Sequence, residues 1–248
     1  MSQSGWYVSL NDDAAAPALL FAFPHAGAGC AQFADLARAV APHVGLLAAN
    51  LPGRQARLDE SPPDDLQVLT DRLADELAER VDRRPYALFG YCAGAVIAYL
   101  VARALRARVH TPPVALVVAS HEAPDIARRP YGLAELPSDR LWDALVAAGG
   151  IQPEMAADHR LRRVAEPAVR ADFALLAAYQ HAAAPPLPHR LVVCAGRDDQ
   201  VRRGALLGWR RQTTMPVELH SVPGGHWVLE QARDEVATVV RDTLAGER

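Results

Sequence analysis

The feature that most constrains this chain is the segment 86–95, which reads Tyr-Ala-Leu-Phe-Gly-Tyr-Cys-Ala-Gly-Ala. An apolar run of strand length leads into a Gly-x-Cys-x-Gly turn, and an alanine-rich helical pattern follows at once. Gly90 and Gly94 indicate a turn too tight for a side chain at either position. We expect a strained backbone at Cys92, with its sulfur facing the positive end of the next helix, an environment that favours a thiolate.

This strand-turn-helix pattern is typical of a nucleophile elbow, with cysteine where serine is more usual. Most free cysteines are small buried hydrophobes, and Cys30 and Cys194, which lack such a context, are assigned to packing. The flanking glycines favour a nucleophilic role for Cys92. Three cysteines are too few and too far apart for a zinc site or a disulfide framework, and the odd number suggests a reducing compartment.

Apolar runs of strand length alternate with helical patterns along the rest of the chain. This alternation predicts an α/β fold with a mostly parallel central sheet covered by helices on both faces. At 248 residues, one domain spanning 1–248 is expected. The predicted strands are 6–10, 18–23, 44–49, 86–90, 114–120, 190–195 and 217–221, and the predicted helices between and after them include 66–80, 93–108 and 230–244.

A long stretch between Ser120 and Arg190 has no strand pattern and exceeds usual loop lengths. It predicts a helix over 139–148 capped by Ser138, and another over 168–181 with Pro167 in its first turn. Ligands of α/β sheets bind at the carboxyl ends of strands, where this stretch emerges. We therefore expect residues 125–187 to form a helical lid, the alternative being an ordinary packing subdomain.

The partners of an elbow nucleophile follow it in the order acid, then histidine. Asp199 lies in a turn after a predicted strand, and His226 lies in a glycine-containing turn before the last helix. Asp198 competes for the role of the acid. Asp199 is preferred because it stands three residues after Gly196, the usual offset of this acid.

The segment 21–29, Phe-Ala-Phe-Pro-His-Ala-Gly-Ala-Gly, follows the second predicted strand. A glycine-rich loop there can bring a backbone N–H against a reacting carbonyl, and Ala26 and Ala93 are the expected donors of an oxyanion hole. The alternative is a plain turn. The segment is too short for a dinucleotide-binding fingerprint, which also needs a further glycine.

Charge and hydropathy exclude several classes of function. The 26 Lys and Arg against 29 Asp and Glu give a net charge of −3, so neither nucleic acid nor an anionic membrane is an expected partner. No apolar run reaches the length of a membrane span, and the longest, 93–102, is better explained as a buried helix. The first residues show no secretory signal, so a cytoplasmic protein is expected.

Six passages in order carry a resemblance to a known family: 23–29 (Phe-Pro-His-Ala-Gly-Ala-Gly), 51–55 (Leu-Pro-Gly-Arg-Gln), 90–94, 123–124 (Ala-Pro), 170–173 (Arg-Ala-Asp-Phe) and 224–226 (Gly-Gly-His). The chain resembles the type II thioesterases of the α/β-hydrolase fold, which serve polyketide synthases and nonribosomal peptide synthetases. The passages at 51–55 and 170–173 are not features of α/β-hydrolases at large.

The resemblance implies a substrate, a partner and a set of roles. The substrates would be acyl or peptidyl thioesters on the phosphopantetheine arm of a carrier protein, with no metal and no other cofactor. Cys92, Asp199 and His226 would be nucleophile, acid and base, and Ala26 and Ala93 the oxyanion donors. In the lid, which would shape an acyl chamber, the candidate substrate-binding residues are Phe173, Leu176 and Tyr179, which could instead pack against the sheet.

Cysteine departs from the family pattern and opens an alternative. Attack by serine on a thioester gives an oxygen ester and loses most of the activation, whereas attack by Cys92 gives another thioester. Such an acyl-enzyme could pass its acyl group to an amine, hydroxyl or thiol, as an acyltransferase or cyclase would; otherwise cysteine simply replaces serine and the enzyme hydrolyses.

A catalytically weak carrier-binding protein is a further alternative, and the presence of the acid, the histidine and the glycine-rich loop argues against it. A lactone hydrolase is another, and the passages at 51–55 and 170–173 argue against it. Carrier proteins are usually acidic, so a docking surface should contain basic residues. The candidates are Arg54, Arg57, Arg128 and Arg129.

Overall fold

The computed structural model describes residues 5–12, 14–127 and 129–246. Within these ranges the strands form one seven-stranded sheet in the order β1-β3-β2-β4-β5-β6-β7, with β1 antiparallel to β3 and the other neighbours parallel. The predicted α/β fold is confirmed, and every predicted strand is present. The strands are β1 Tyr7–Ser9, β2 Ala18–Phe23, β3 Val44–Ala49, β4 Tyr86–Tyr91, β5 Ala115–Ala119, β6 Arg190–Gly196 and β7 Val217–Val222.

Helices cover both faces of the sheet. They are α1 Ala34–Val40, α2 Leu66–Arg80, α3 Ala93–Leu105, α4 Ser138–Ala147, α5 Pro153–Ala157, α6 His159–Ala178, α7 Arg203–Leu207, α8 Val228–Gln231 and α9 Arg233–Ala245. The core of one face contains α2 and α3, and the core of the other contains α1 and α9. Strands β2 to β5 are buried along their whole length, because both of their faces are covered.

Helix α2 shows how the pattern produces the element. Leu66, Leu69, Leu73 and Leu77 recur at helical spacing and are all buried. The Asp65 carboxylate accepts hydrogen bonds from two N–H groups of the first turn, which would otherwise lack partners. The predicted bounds of this helix, 66–80, agree with the structure.

The stretch 125–187, called the insertion, is helical as predicted but differs in its boundaries. Ser138 is the first residue of α4 rather than its cap, and its hydroxyl donates to Glu166. Pro167 lies inside α6, not in its first turn. The helix begins earlier because the Asp158 carboxylate accepts hydrogen bonds from two N–H groups of its first turn. These bonds stabilise the helix more than the hydrogen bond missing at Pro167 destabilises it.

The predicted helix 230–244 also differs, since it is divided between α8 and α9. Helix α1, for which the sequence analysis made no prediction, lies between β2 and β3. In the described part of the chain, no helix is both long enough and apolar enough to cross a bilayer.

Two glycines allow α3 to pack closely against the sheet. A Cβ at Gly94 would lie 2.1 Å from the Phe23 carbonyl oxygen, and a Cβ at Gly90 would lie 2.5 Å from the Ala95 Cα. Both neighbours are backbone atoms, which have little room to move. The expectation that neither position tolerates a side chain is confirmed.

We expect Gly94→Ala to lower the free energy of unfolding by roughly 1–3 kcal/mol, because the added methyl group overpacks a rigid contact. Urea denaturation measures this change. Gly204→Ala is the matched control, since Gly204 lies in α7 with no atom within 4 Å of an added Cβ, and alanine there should be neutral or stabilising. Equal stability of the two variants would contradict the contact.

Candidate active site

The elbow holds Cys92 in the strained conformation that the sequence predicts. Its φ of 51° and ψ of −120° lie in a region that residues with a side chain rarely adopt. The Cys92 N–H donates to the Ala119 carbonyl oxygen at 2.9 Å, which fixes the turn to the end of β5. The residue is half-buried and immediately precedes α3, so the free N–H groups of that helix lie beside it.

The structure brings the predicted acid and histidine together. The Asp199 carboxylate lies 3.3 Å from His226 Nδ1 and is almost completely buried. Asp198, the competing acid, is exposed. Because Nδ1 faces Asp199, Nε2 is the ring nitrogen available for proton transfer to a reacting group.

The acid and histidine turns meet because glycines leave room for the backbone. A Cβ at Gly196 would lie 2.0 Å from the Gly225 carbonyl oxygen, so no larger residue fits where the two turns cross. The Asp198 N–H donates to the Gly224 carbonyl oxygen at 3.0 Å, and Gly224 itself has a φ of +85°. The turn after β6 and the turn after β7 are therefore held against each other by main-chain contacts.

The environment of His226 favours the imidazolium. Burial lowers the pKa of the ring, but the negative charge of Cys92 and hydrogen bonds with Asp199 and Cys92 outweigh it, and together they raise the pKa from 6.5 to about 10. Negative charge on the Cys92 sulfur would thus stabilise an imidazolium at His226.

The buried acid is kept ionised by its neighbours. Burial raises the pKa of Asp199, but hydrogen bonds from His226 and the Val201 N–H, together with the charge of the imidazolium and the Ser120 hydroxyl, bring the pKa below its ordinary value. Ser120 follows β5 with a φ of +52°. A permanently charged carboxylate can hold the histidine in one tautomer and stabilise its protonated form.

Two aromatic neighbours position the loop that carries His226. The Tyr91 hydroxyl donates to the His226 carbonyl oxygen at 2.8 Å. The Tyr91 ring is also stacked on the His226 imidazole. His25 packs edge-on against Tyr91 and Trp227. Burial lowers the pKa of His25 to about 4, so this second imidazole is neutral beside the charged one. Sequence reasoning did not identify Tyr91, although it stands directly before the nucleophile.

The expected oxyanion donors lie on neighbouring backbone segments. Ala93 begins α3 directly after Cys92, and Ala26 belongs to residues 24–29, called the glycine loop. The close approach of Gly94 to the Phe23 and Pro24 carbonyl oxygens brings the start of the helix against the start of this loop. Two N–H groups directed at a reacting carbonyl oxygen would stabilise a tetrahedral intermediate of acyl transfer, and Ala26 and Ala93 remain the predicted donors.

Comparison with known proteins decides the family. A family model described as a thioesterase domain matches residues 18–244, nearly the whole chain. The chain belongs to the thioesterase family. The thioesterase is 29% identical over 234 residues to the gramicidin S biosynthesis protein GrsT of Aneurinibacillus migulanus, covering 93% of this chain and 90% of that protein. It is also 29% identical to thioesterase PikA5 of Streptomyces venezuelae, covering 91% of this chain and 80% of PikA5.

Solved structures agree with this assignment. The type II thioesterase BorB from the borrelidin biosynthetic cluster superposes with a TM-score of 0.89 at 29% identity, covering 98% of this chain and 99% of that one. RedJ, a thioesterase from the prodiginine biosynthetic pathway of Streptomyces coelicolor, superposes with a TM-score of 0.86 at 29% identity, covering 94% of this chain and 87% of that one.

The three candidate substrate residues of the insertion occupy two environments. Leu176 and Tyr179 pack against the main apolar core of the sheet, as the alternative prediction has it. They also line a cavity of about 390 Å³ beside α6, together with His121 and with Val96, one helical turn after Cys92. Phe173 instead packs with the apolar cluster inside the insertion. Among the residues described, no group of three or more His, Cys, Asp or Glu is arranged to hold a metal ion.

The prediction of a basic docking surface is wrong for two of its four arginines. Arg54 is buried and paired with Asp172, and Arg57 is buried, paired with Glu60 and packed over a tryptophan ring. Their burial depends on partners distant in the chain, Asp172 and Ala28 for Arg54 and Trp6 for Arg57, which sequence alone does not show. Arg129 is exposed, and Arg128 lies outside the described residues.

We expect Cys92→Ala to lower the pKa of His226, because the substitution removes the charge that raises that pKa while burial still lowers it. NMR titration of the imidazole ring between pH 6 and pH 10 measures the midpoint. Cys194→Ala is the control, since it removes a thiol from the core of the sheet. The same His226 midpoint in the wild type and in Cys92→Ala would refute the ion pair.

Proposed function

We propose that this protein is a type II thioesterase that hydrolyses acyl or peptidyl thioesters carried on the phosphopantetheine arm of a carrier protein in natural-product biosynthesis. The proposal rests above all on one observation: the strained Cys92 is a hydrogen-bond partner of His226, and Nδ1 of that histidine faces the buried Asp199 carboxylate. Cys92 is the nucleophile, His226 the acid and base, and Asp199 the group that orients the histidine.

In the first half of the reaction, the Cys92 thiolate attacks the carbonyl carbon of the thioester. The N–H groups of Ala26 and Ala93 stabilise the oxyanion. The bond from carbon to the pantetheine sulfur then breaks, and the leaving thiolate takes the proton from His226 Nε2. The enzyme now holds an acyl group on Cys92 and a neutral histidine.

The second half depends on the charge that acylation removes. Acylated Cys92 carries no negative charge, so the main contribution that raises the pKa of His226 is lost. The neutral ring accepts a proton from water, the hydroxide attacks the acyl carbon, and the carbon–Sγ bond breaks. The products are the free acid and the thiolate–imidazolium pair, ready for another cycle.

Nothing in this site needs a cofactor, since the thioester brings its own activation. The carrier protein is proposed as the partner, on the strength of the relatives in antibiotic biosynthesis and of the passages at 51–55 and 170–173. The cavity beside α6 is the proposed chamber for the acyl chain because Val96 in its wall lies one helical turn after Cys92.

The cysteine favours a second outcome, transfer of the acyl group to an amine, hydroxyl or thiol. Thioesters react better with amines, relative to water, than oxygen esters do. An acyl-S-enzyme therefore retains enough activation to form an amide, whereas an acyl-O-enzyme loses most of it.

Incubation with an acyl-pantetheine thioester should give a covalent acyl adduct, detected by mass spectrometry of the intact chain. We expect Cys92→Ala to abolish the adduct and to lower turnover by at least about 10³-fold, because no other nucleophile stands at the elbow. Cys30→Ala is the control. An adduct that persists in Cys92→Ala would overturn the assignment of the nucleophile.

The natural acceptor can be tested by adding an amine and measuring the ratio of amide to free acid. We expect a higher ratio for the wild type than for Cys92→Ser, since the serine variant forms an oxygen ester. Equal ratios in the two proteins would eliminate the transfer hypothesis.

The acyl chamber can be tested by filling it. We expect Leu176→Trp to lower kcat/KM for an octanoyl thioester by about tenfold while leaving an acetyl thioester unaffected, since lost apolar contacts cost this much. Leu161→Trp is the control, because Leu161 is exposed on the same helix. A parallel loss for both substrates in Leu176→Trp would show that the acyl chain binds elsewhere.

A further inference from the structure

Three separate segments meet at the carboxylate of Asp172, which lies on α6. The Arg54 guanidinium donates to both of its oxygens, at 2.6 and 2.8 Å. The Gly27 N–H donates to Oδ2 at 2.7 Å. One side chain of the insertion thus binds both the loop that follows β3 and the glycine loop.

This cluster is buried and its geometry is closely determined. The side chains of Arg54 and Asp172 are 7% and 11% exposed. The guanidinium also donates to the Pro52 and Ala28 carbonyl oxygens, at 3.2 Å each. A buried bidentate pair is weak evidence for stability, because desolvation offsets the attraction; fixing one arrangement of the chain is a better-supported use.

The glycine loop is shaped to receive the insertion. Gly27 has a φ of +78°, and a Cβ there would lie 2.3 Å from Val169 Cγ2 on α6. A Cβ at Gly29 would lie 2.4 Å from the Gln55 side-chain oxygen. Val169 lies on α6 with Asp172, and Gln55 lies with Arg54 in the loop after β3. The glycine loop is therefore held by the same two segments that the Arg54–Asp172 pair joins.

We infer that Asp172, with Arg54, is a positioning residue for the oxyanion hole, and that α6 must be seated on the glycine loop for that hole to form. The inference rests on the proposed function. The Gly27 N–H belongs to the peptide that directly follows Ala26, so holding it against the carboxylate fixes the orientation of the Ala26 N–H. Withdrawal of α6 releases that peptide and removes one of the two donors.

The consequence is a coupling between closure of the insertion and chemistry. In the structure α6 is already seated on the glycine loop through this contact. Any displacement of α6 would therefore also disturb the oxyanion hole.

A second ion pair on α6 provides a matched control. Arg170 binds Glu166 at 2.6 Å and the Ala134 carbonyl oxygen at 2.6 Å, and Glu166 accepts from Ser138 and Trp142. Every one of these partners belongs to the insertion. Removing Arg170 therefore perturbs the insertion from within and leaves the contacts to the glycine loop intact.

The test measures steady-state kinetics on an acyl-pantetheine thioester, with enzyme concentration defined by titration of the Cys92 adduct. We expect Asp172→Ala to lower kcat by about 10²-fold with KM nearly unchanged, as loss of an oxyanion donor does. Asp172→Asn keeps an oxygen for the Gly27 N–H and should recover part of the loss. Arg170→Met should stay within about threefold of the wild type.

A second readout follows the loop itself. The Gly27 amide proton should exchange with solvent faster in Asp172→Ala than in Arg170→Met, measured by NMR. A role confined to stability would lower Tm and leave kcat per titrated site and Gly27 exchange as in the control, which would overturn the inference. A wild type that forms no acyl adduct would overturn the proposed function, and this inference with it.

Discussion

The strained turn at Cys92 is the constraint on which the rest of the site depends. A left-handed φ lifts the sulfur above the sheet edge, and it persists because the surrounding structure leaves the turn no alternative. Gly90 and Gly94 let α3 pass within contact distance of the backbone of β4 and of the end of β2. That single close approach places the Cys92 sulfur and, beside it, the first backbone N–H groups of α3.

Burial and neighbouring charges shift the pKa values of His226 and Asp199 in opposite directions. Burial alone would neutralise His226 and Asp199, yet each lies beside an opposite charge that reverses the effect. Negative charge on Cys92 is the contribution to this balance that the proposed reaction would change. In the proposed reaction, acylation removes this charge, so the same imidazole would serve first as the acid for the leaving thiol and then as the base for water.

Helix α6 of the insertion contacts the glycine loop through a hydrogen bond as well as through apolar packing. Asp172 reaches out of α6 to the glycine loop, and Arg54 reaches the same carboxylate from the loop after β3. The two family-specific passages, far apart in the chain, therefore meet in one buried ion pair. Their shared location explains why an arginine that resembles a surface charge in the sequence is an internal part of the molecule.

Sequence alone determined the strands, the elbow and the order of the candidate site residues, because strand periodicity, glycine spacing and the offset of Asp199 from Gly196 are local properties. It missed α1, the start of α6 and the division between α8 and α9. It could not determine that Tyr91 donates a hydrogen bond to the His226 carbonyl oxygen, or that Arg54 is buried. Each of these depends on which segments pack against one another across the sheet. Only the tertiary structure decides those contacts, since burial and pairing of a charge are set by neighbours distant in the chain.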